Sequence, residues 1–188
     1  MPPKAALTRE QIAQMAFEII RREGYDALNA RRLAAELGVS TMPLFKYYKN
    51  MDEIKRAAVA LGVEEYSKYI QSGAKEQIPF KGVGRAYIRF AKNEPKLFEM
   101  FFMRPTESVV GVEPVDPNMG AVLNIASDIM RGNKDNGQRL LRDMWIVTHG
   151  IATLEATGKL SFSDEEIGNT LSEIFLGLKN QYGGKDNE

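Results

Sequence analysis

The sequence predicts an all-α protein, and two observations support that prediction. Apolar residues recur at spacings of three and four, as in Ile12, Ala16, Phe17 and Ile20, which is the repeat of an amphipathic helix. Residues typical of helix ends stand at the edges of such segments, for example Thr8 before the first segment and Gly24 after it. We therefore expect a chain of successive helices with short connections.

The predicted helices follow one another along the chain. Thr8 and Gln11 form a capping box for the first helix, while Asn29 and Asn50 are suited to cap the second and fourth. The fourth helix is expected to end near Ile70. The later helices are predicted near Phe80–Lys92, Pro95–Met103, Asn118–Arg131, Gly137–Thr157 and Ser163–Gln181, with a proline-containing loop at Arg104–Pro117 and a frayed tail at Gly183–Glu188.

The segment from Asn29 to Ile54 has the pattern of a helix-turn-helix. Gly38 follows a short apolar helix at the position where a left-handed turn suits glycine. Ser40 is the expected N-cap of a second helix, at about Thr41–Tyr47. The N-terminal end of such a recognition helix fits the DNA major groove, so the pattern predicts DNA binding, although an ordinary helical hairpin in a bundle has the same spacing.

Charge gives this prediction modest support. The whole chain has a net charge of zero, but residues 1–55 carry nine Lys or Arg and seven Asp or Glu, an excess of two positive charges. Binding to a polyanion through so small an excess would need the help of dimer symmetry and helix N-termini.

The same segments resemble TetR-type transcriptional regulators. Thr8–Gly24 resembles the first helix of that family, and Leu33–Ser40 and Leu44–Ile54 resemble its helix-turn-helix and the start of its fourth helix. The resemblance extends over about Leu7 to Val59. Farther on, Trp145–Leu160 is similar to a Trp…His-Gly signature in one subgroup of TetR-type ligand-binding domains.

This resemblance implies a homodimeric regulator, expected to be a repressor that a small-molecule effector releases from a double-stranded DNA operator. It implies a DNA-binding domain at 1–50 and an effector-binding and dimerisation domain at 51–188. The residues expected to contact DNA are Asn29, Arg31, Ser40, Thr41, Met42, Pro43, Phe45, Lys46, Tyr47 and Lys49.

Four residues depart from the family pattern: Tyr47 and Tyr48 stand where the family often has histidine and phenylalanine, and two further departures remove DNA contacts. The family usually has tyrosine at the position of Phe45 and often lysine at that of Met51, so a phenolic hydroxyl and an ammonium group are missing. Lys46, Tyr47 and Lys49 are the expected replacements for those backbone contacts. The departures leave open an alternative: a helical ligand-binding or adaptor protein with weakened DNA binding.

The last two long helices carry apolar residues on more than one side. A helix that is apolar on two faces must bury both, and the simplest partner for the second face is a symmetry mate. We therefore expect a homodimer, with Leu171 and Leu178 on the stripe that faces the partner.

An effector pocket is predicted in the C-terminal part. Its expected walls are Phe98, Phe102, Met144 and Trp145, and its polar group is His149, one helical turn beyond Trp145. Such a lining suits an apolar or weakly polar ligand. The alternative is that the aromatic and methionine cluster is ordinary core, and that His149 is a buried, hydrogen-bonded core residue.

Composition argues against several other classes. The chain has no cysteine and one histidine, so we expect no metal site, no cofactor and no catalytic residue of a nucleophile–histidine type, although carboxylate chemistry alone stays open. The sequence has no long apolar run and no apolar leader segment. We therefore expect a cytoplasmic protein without a membrane partner.

Overall fold

The computed structural model describes residues 7–111 and 116–183. Within these residues the secondary structure is helical, without strands, as the sequence predicts; the predicted tail lies outside the described residues beyond Gly183. The helices are α1 (Arg9–Glu23), α2 (Ala30–Leu37), α3 (Leu44–Tyr47), α4 (Met51–Ala74), α5 (Pro79–Asn93), α6 (Pro95–Phe102), α7 (Met119–Ile129), α8 (Lys134–Ala156) and α9 (Asp164–Tyr182), with 3-10 turns at Tyr25–Ala27 and Thr106–Ser108.

Packing between residues divides the chain into two compact units. The first unit comprises Met1–Glu65 and Lys96–Pro114, and the second comprises Tyr66–Pro95 and Val115–Glu188. Helix α4 contributes its first part to the first unit and its last part to the second. The predicted boundary at residue 50, between a DNA-binding domain and an effector-binding and dimerisation domain, concerns function and stays a prediction.

Local capping signals in the first unit are confirmed. The Thr8 hydroxyl accepts a hydrogen bond from the Gln11 backbone N–H, while the Gln11 side chain accepts one from the Thr8 backbone. The Asn29 side chain accepts from the backbone N–H groups of Arg31 and Arg32, and Asn50 accepts from Glu53. Each cap satisfies N–H groups that have no partner inside their own helix.

The turn between α2 and α3 forms as predicted, but the recognition helix starts later. Gly38 is left-handed, at φ 63° and ψ 36°. Ser40 does not cap α3: the regular helix spans Leu44–Tyr47, and Pro43 occupies the cap position without a side-chain hydrogen bond. The preceding turn is held by backbone bonds from Leu44 to Thr41 and from Phe45 to Met42, a tighter i, i+3 pattern.

The second unit is a bundle in which α5, α7, α8 and α9 pack against one another. Glycines allow close approaches: a Cβ at Gly137 of α8 would lie 2.6 Å from Ser127 Oγ of α7, and one at Gly82 of α5 would lie 2.1 Å from the carbonyl oxygen of Gly73. The helices of this unit begin and end within a few residues of their predicted bounds. The largest difference at a helix start is in α8, which begins at Lys134, three residues before the predicted start, because Asn133 caps it. No helix among the described residues has the length and apolarity needed to cross a membrane.

Candidate DNA-binding surface and ligand cavity

The segment around α3 exposes an apolar surface. Met42 is 73% exposed, Phe45 43% and Tyr47 38%, whereas Leu44 and Tyr48 are buried. Large apolar side chains normally avoid water, so a cluster of them on one short segment indicates a contact surface. Tyr47 thus points outward and Tyr48 inward.

Tyr48 anchors this segment to α1. Its hydroxyl donates to the Arg9 carbonyl oxygen at 3.0 Å, and the Arg9 guanidinium lies over its ring, 4.4 Å from the centroid. Arg9 also donates to the carbonyl oxygen of Tyr47 at 3.2 Å. These contacts fix the end of the four-residue α3, which is too short to hold its position through its own hydrogen bonds.

Two groups of cations near the helix-turn-helix differ in whether carboxylates neutralise them. Arg22 and Arg32 form a network with Glu23 and Glu36, with N···O distances of 2.5 to 2.7 Å. Hydrogen bonds from Arg32, and next from Arg22, lower the pKa of Glu23 to about 2. The network is internally neutral, so its arginines contribute little net field to a DNA phosphate.

The second group consists of Arg31, Lys46 and Lys49, which are all exposed. Within residues 7–111 and 116–183, none of their side chains has a carboxylate within 4 Å. Their positive charges are therefore available to an anionic partner.

The ten residues expected to contact DNA all belong to the first unit: Asn29 caps α2, Lys49 follows α3, and the others lie on α2, the turn and α3. Eight are exposed, while Thr41 and Pro43 are half-buried. The Asn29 side chain is already engaged within the protein: its oxygen caps α2, and its amide group donates to the Ala27 carbonyl oxygen at 3.3 Å.

A cavity of about 520 Å³ lies inside the second unit. Most of its wall is apolar and comes from α4, α5, α7, α8 and α9, including Ile70, Val83, Val122, Ile125, Met144 and Leu171. This volume and lining are typical of a site for a small organic molecule.

Polar groups stand at separate places in this wall. At one place the Tyr66 hydroxyl donates to the Asp116 carboxylate at 2.5 Å, and the Asn118 backbone N–H and side-chain amide donate to the other oxygen at 2.7 and 3.2 Å. Burial, and next the Asp116 charge, raise the pKa of Tyr66 well above its ordinary value. At another place Lys81 Nζ donates to the Ser172 hydroxyl at 2.9 Å.

His149 stands behind the wall rather than in it. Its Nδ1 lies 3.0 Å from the hydroxyl of Tyr87, which lines the cavity, and its ring stacks on Trp145 with centroids 5.0 Å apart. Burial lowers the pKa of His149, which favours the neutral ring. His149 therefore contacts two cavity residues, Tyr87 and Trp145, without lining the cavity itself. It is neither a polar group of the cavity wall nor a core residue remote from the cavity.

The five residues expected to form the effector site do not all come together. Met144 and Trp145 line the cavity, whereas Phe98 and Phe102 belong to the first unit, where their ring centroids lie 5.3 Å apart and Phe98 is fully buried. The density of aromatic residues near Pro95–Met103 indicates that this segment is buried. It does not reveal which helices it packs against, so the sequence could not distinguish the core of the first unit from the wall of the cavity. The sequence reasoning missed Tyr66, Tyr87, Lys81 and Asp116, which are scattered and carry no shared local pattern.

The outer faces of α8 and α9 are apolar and carry glycine. Ile146 is 58% exposed and Leu176 55%. A Cβ built at Gly150 or Gly177 would meet no side chain or other helix within 4 Å, so packing within the chain does not require glycine there. Leu171, expected on the outer stripe, is instead only 2% exposed and faces the cavity, because the stripe lies at a different angle around α9.

Fold and geometry together define a class: a helix-turn-helix unit with an exposed recognition surface, and a helical unit that encloses an apolar cavity. The family model described as "Bacterial regulatory proteins, tetR family" matches residues 12–58, and the one described as "Tetracyclin repressor-like, C-terminal domain" matches residues 80–175. The chain belongs to the TetR family and is a TetR-type DNA-binding transcriptional regulator. The match does not address the Trp…His-Gly subgroup.

Curated relatives agree with this assignment. An uncharacterized HTH-type transcriptional regulator of Mycobacterium tuberculosis is 23% identical over 169 residues, which are 86% of this chain and 76% of the relative. The HTH-type transcriptional repressor DrrR1 of Streptomyces coeruleorubidus is 40% identical over 52 residues, which are 28% of this chain and 19% of that protein. The second relative is thus similar over a stretch only about as long as one small domain.

Proposed function

We propose that this protein is a homodimeric repressor in the cytoplasm, and that a small, mainly apolar molecule bound in the cavity of the second unit releases it from its operator. The observation that carries the proposal is the cavity of about 520 Å³, whose wall includes Tyr66 and Ile70 of α4. That helix begins at Met51, directly after the recognition segment. The name of the relative from Streptomyces coeruleorubidus, a transcriptional repressor, supports the direction of regulation.

In this proposal residues 1–50 bind DNA. Arg31, Lys46 and Lys49 neutralise phosphates, while Thr41, Met42 and the rest of the exposed segment face base edges. The segment from Ser40 to Tyr47 has no Arg, Asn, Gln, Asp or Glu, so the side chains that can hydrogen-bond to bases are Ser40, Thr41, Lys46 and Tyr47. Its exposed apolar groups are suited to thymine methyl groups.

Residues 51–188 hold the effector and form the dimer. Glycine inside a helix costs about 1 kcal/mol relative to alanine, so Gly150 and Gly177 on open faces are unfavourable for an isolated chain. A second chain that packs closely on α8 and α9 would explain why both positions are glycine, and it would cover Ile146 and Leu176. The resulting four-helix interface is of a common kind.

The mechanism follows from the geometry that DNA demands. Two recognition helices must enter successive major grooves, roughly 34–36 Å apart for half-sites one turn apart. A ligand that contacts Tyr66 and Ile70 acts directly on α4, so it favours states of α4 that suit the ligand. It weakens DNA binding only by the ratio of its affinities for the two states. The role is regulatory rather than catalytic.

The test is a ligand screen with two readouts on the full chain. Trp145 is the only tryptophan and lines the cavity, so a bound ligand should change its fluorescence. The same ligand should release a labelled operator fragment. His149→Ala should weaken the ligand response and leave ligand-free DNA binding nearly intact, because His149 orients cavity residues and belongs to the second unit.

Two outcomes would count against this proposal. A protein that binds ligands but shows no salt-dependent affinity for duplex DNA would instead be a ligand-binding or adaptor protein. If His149→Ala abolishes folding or dimerisation and no ligand perturbs Trp145, then His149 is a core residue and the cavity is not an effector site.

A further inference from the structure

A half-buried cation, Lys81, lines the cavity without a charged partner nearby. It lies in the first turn of α5, and its ammonium group donates to the neutral hydroxyl of Ser172 on α9. Among the described residues no carboxylate lies within 4 Å of Lys81 Nζ. An ammonium group has three donors, so this one retains hydrogen-bonding capacity for an anion.

The neighbourhood of Lys81 is arranged around that cation. The Ser172 hydroxyl donates to the Gly168 carbonyl oxygen at 2.8 Å, which leaves its lone pair to accept from Lys81. A Cβ at Gly168 would lie 3.6 Å from Lys81 Nζ, so the absence of a side chain there leaves room beside the ammonium group. Lys179 of α9 also lines the cavity and adds a second positive charge.

Asp116, the carboxylate that lines the cavity, already has hydrogen-bond partners within the protein. Asp116 already accepts three hydrogen bonds, from Tyr66 and from the two Asn118 donors, which stabilise its charge without a ligand. A cationic ligand would therefore gain less at Asp116 than an anion would gain at Lys81.

The position of Lys81 also fits an entrance. Ring contact between Phe80 and Phe175, with centroids 5.9 Å apart, brings the start of α5 beside the middle of α9. Ile78, which lines the cavity just before α5, is 60% exposed, and its neighbours Gln77 and Pro79 also line the cavity and are exposed. A charged head group at Lys81 would stay near solvent while an apolar body fills the interior.

We infer that the natural ligand of this cavity is an amphipathic monoanion: an apolar body that bears one carboxylate, which Lys81 and Ser172 bind near the entrance. The inference rests on the proposed effector site and names its ligand class. It refines the expectation of a mainly apolar ligand by one acidic group.

The test compares three probes that share a chain length and differ in head group: decanoate, decanol and decyltrimethylammonium, each kept below its micelle-forming concentration. Binding to the full chain without DNA is followed by Trp145 fluorescence. The parent protein should bind decanoate most tightly. Lys81→Met, which keeps most of the side-chain stem, should raise the decanoate Kd roughly tenfold or more, the loss typical of a charge-assisted hydrogen bond, and should leave decanol binding nearly unchanged.

Two variants make the result specific. Lys81→Arg should retain the preference for decanoate because the charge and donors remain. Lys75→Met removes the same charge from an exposed position of the second unit outside the cavity lining, and should leave the decanoate Kd within about twofold.

Several results would overturn the inference: equal binding of decanoate and decanol by the parent, tightest binding of decyltrimethylammonium, or an unchanged decanoate preference in Lys81→Met. Binding of decanoate without release of operator DNA would refute the proposed effector response but leave this inference standing. Release of DNA by an uncharged ligand, with no decanoate binding, would refute the inference alone.

Discussion

A charge placed on the outer face of α8 should separate the proposed dimer. Ile146→Glu is the chosen change because Ile146 is 58% exposed in the single chain and does not line the cavity. Full burial of an isoleucine side chain contributes about 2 kcal/mol, so covering the exposed part contributes about 1 kcal/mol per protomer. A two-fold interface uses the residue twice, which gives about 2 kcal/mol per dimer.

Loss of that burial alone raises the dimer Kd about thirtyfold. Two carboxylates buried without partners weaken the dimer further, because each must leave water or draw water into the interface. In the isolated chain the same change affects an exposed position and should alter the free energy of unfolding by about 0.5 kcal/mol or less. The variant should therefore be a folded monomer.

Sedimentation velocity across a micromolar concentration series measures the association, and circular dichroism checks the fold. Leu160→Glu is the matched control, since Leu160 is 54% exposed but lies in the connection between α8 and α9. The reasoning is refuted if the parent is monomeric at micromolar concentration, or if Ile146→Glu dimerises as well as the parent does.

The remaining predictions concern DNA binding and pH. Replacing Arg31, Lys46 and Lys49 together with Ala should weaken binding to all duplexes and flatten the salt slope by about 0.9 for each phosphate that the protein no longer neutralises, measured by titration at several salt concentrations; an unchanged slope would remove these residues from the interface. If Met42 contacts a thymine methyl group, replacing that thymine of the operator with deoxyuridine should reduce the affinity of the parent about fourfold, the effect of burying one methyl group. The same replacement should scarcely change the affinity of Met42→Ala. Equal reductions in both proteins would exclude the methyl contact. The pKa of His149 is lower in the folded protein than in the unfolded chain, so the unfolded chain binds the proton first as pH falls. The parent should therefore lose stability as pH falls through about 6.5, and His149→Gln should lose less. Equal losses of stability in the two proteins between about pH 8 and pH 5, measured by denaturation, would contradict this.

Features fixed by neighbouring residues were predictable from the sequence. The Thr8–Gln11 capping box, the Asn29 cap and the left-handed Gly38 depend on residues within a few positions, and all three form. The start of the recognition helix was not, because Ser40 matches a capping residue in type but the backbone continues through a tight turn to Pro43.

The cavity could be predicted only in part, since its walls come from distant segments. Lys81 and Ser172 are 91 positions apart, and Tyr66 and Asp116 are 50 positions apart. No local pattern joins such pairs. Trp145 could be placed from its signature with His149 one helical turn farther on. Phe98 lies in the core of the first unit instead of the cavity wall, because an aromatic cluster looks the same in a core and in a pocket.

The most direct test of the central claim is selection of genomic DNA by the purified full chain. Sheared DNA from the source organism is passed over the protein at physiological salt, and the retained fragments are sequenced. The account predicts a small set of strongly enriched fragments that share an inverted repeat, as a symmetric pair of recognition helices requires. Uniform recovery of the genome, with no fragment enriched over its neighbours, would contradict it.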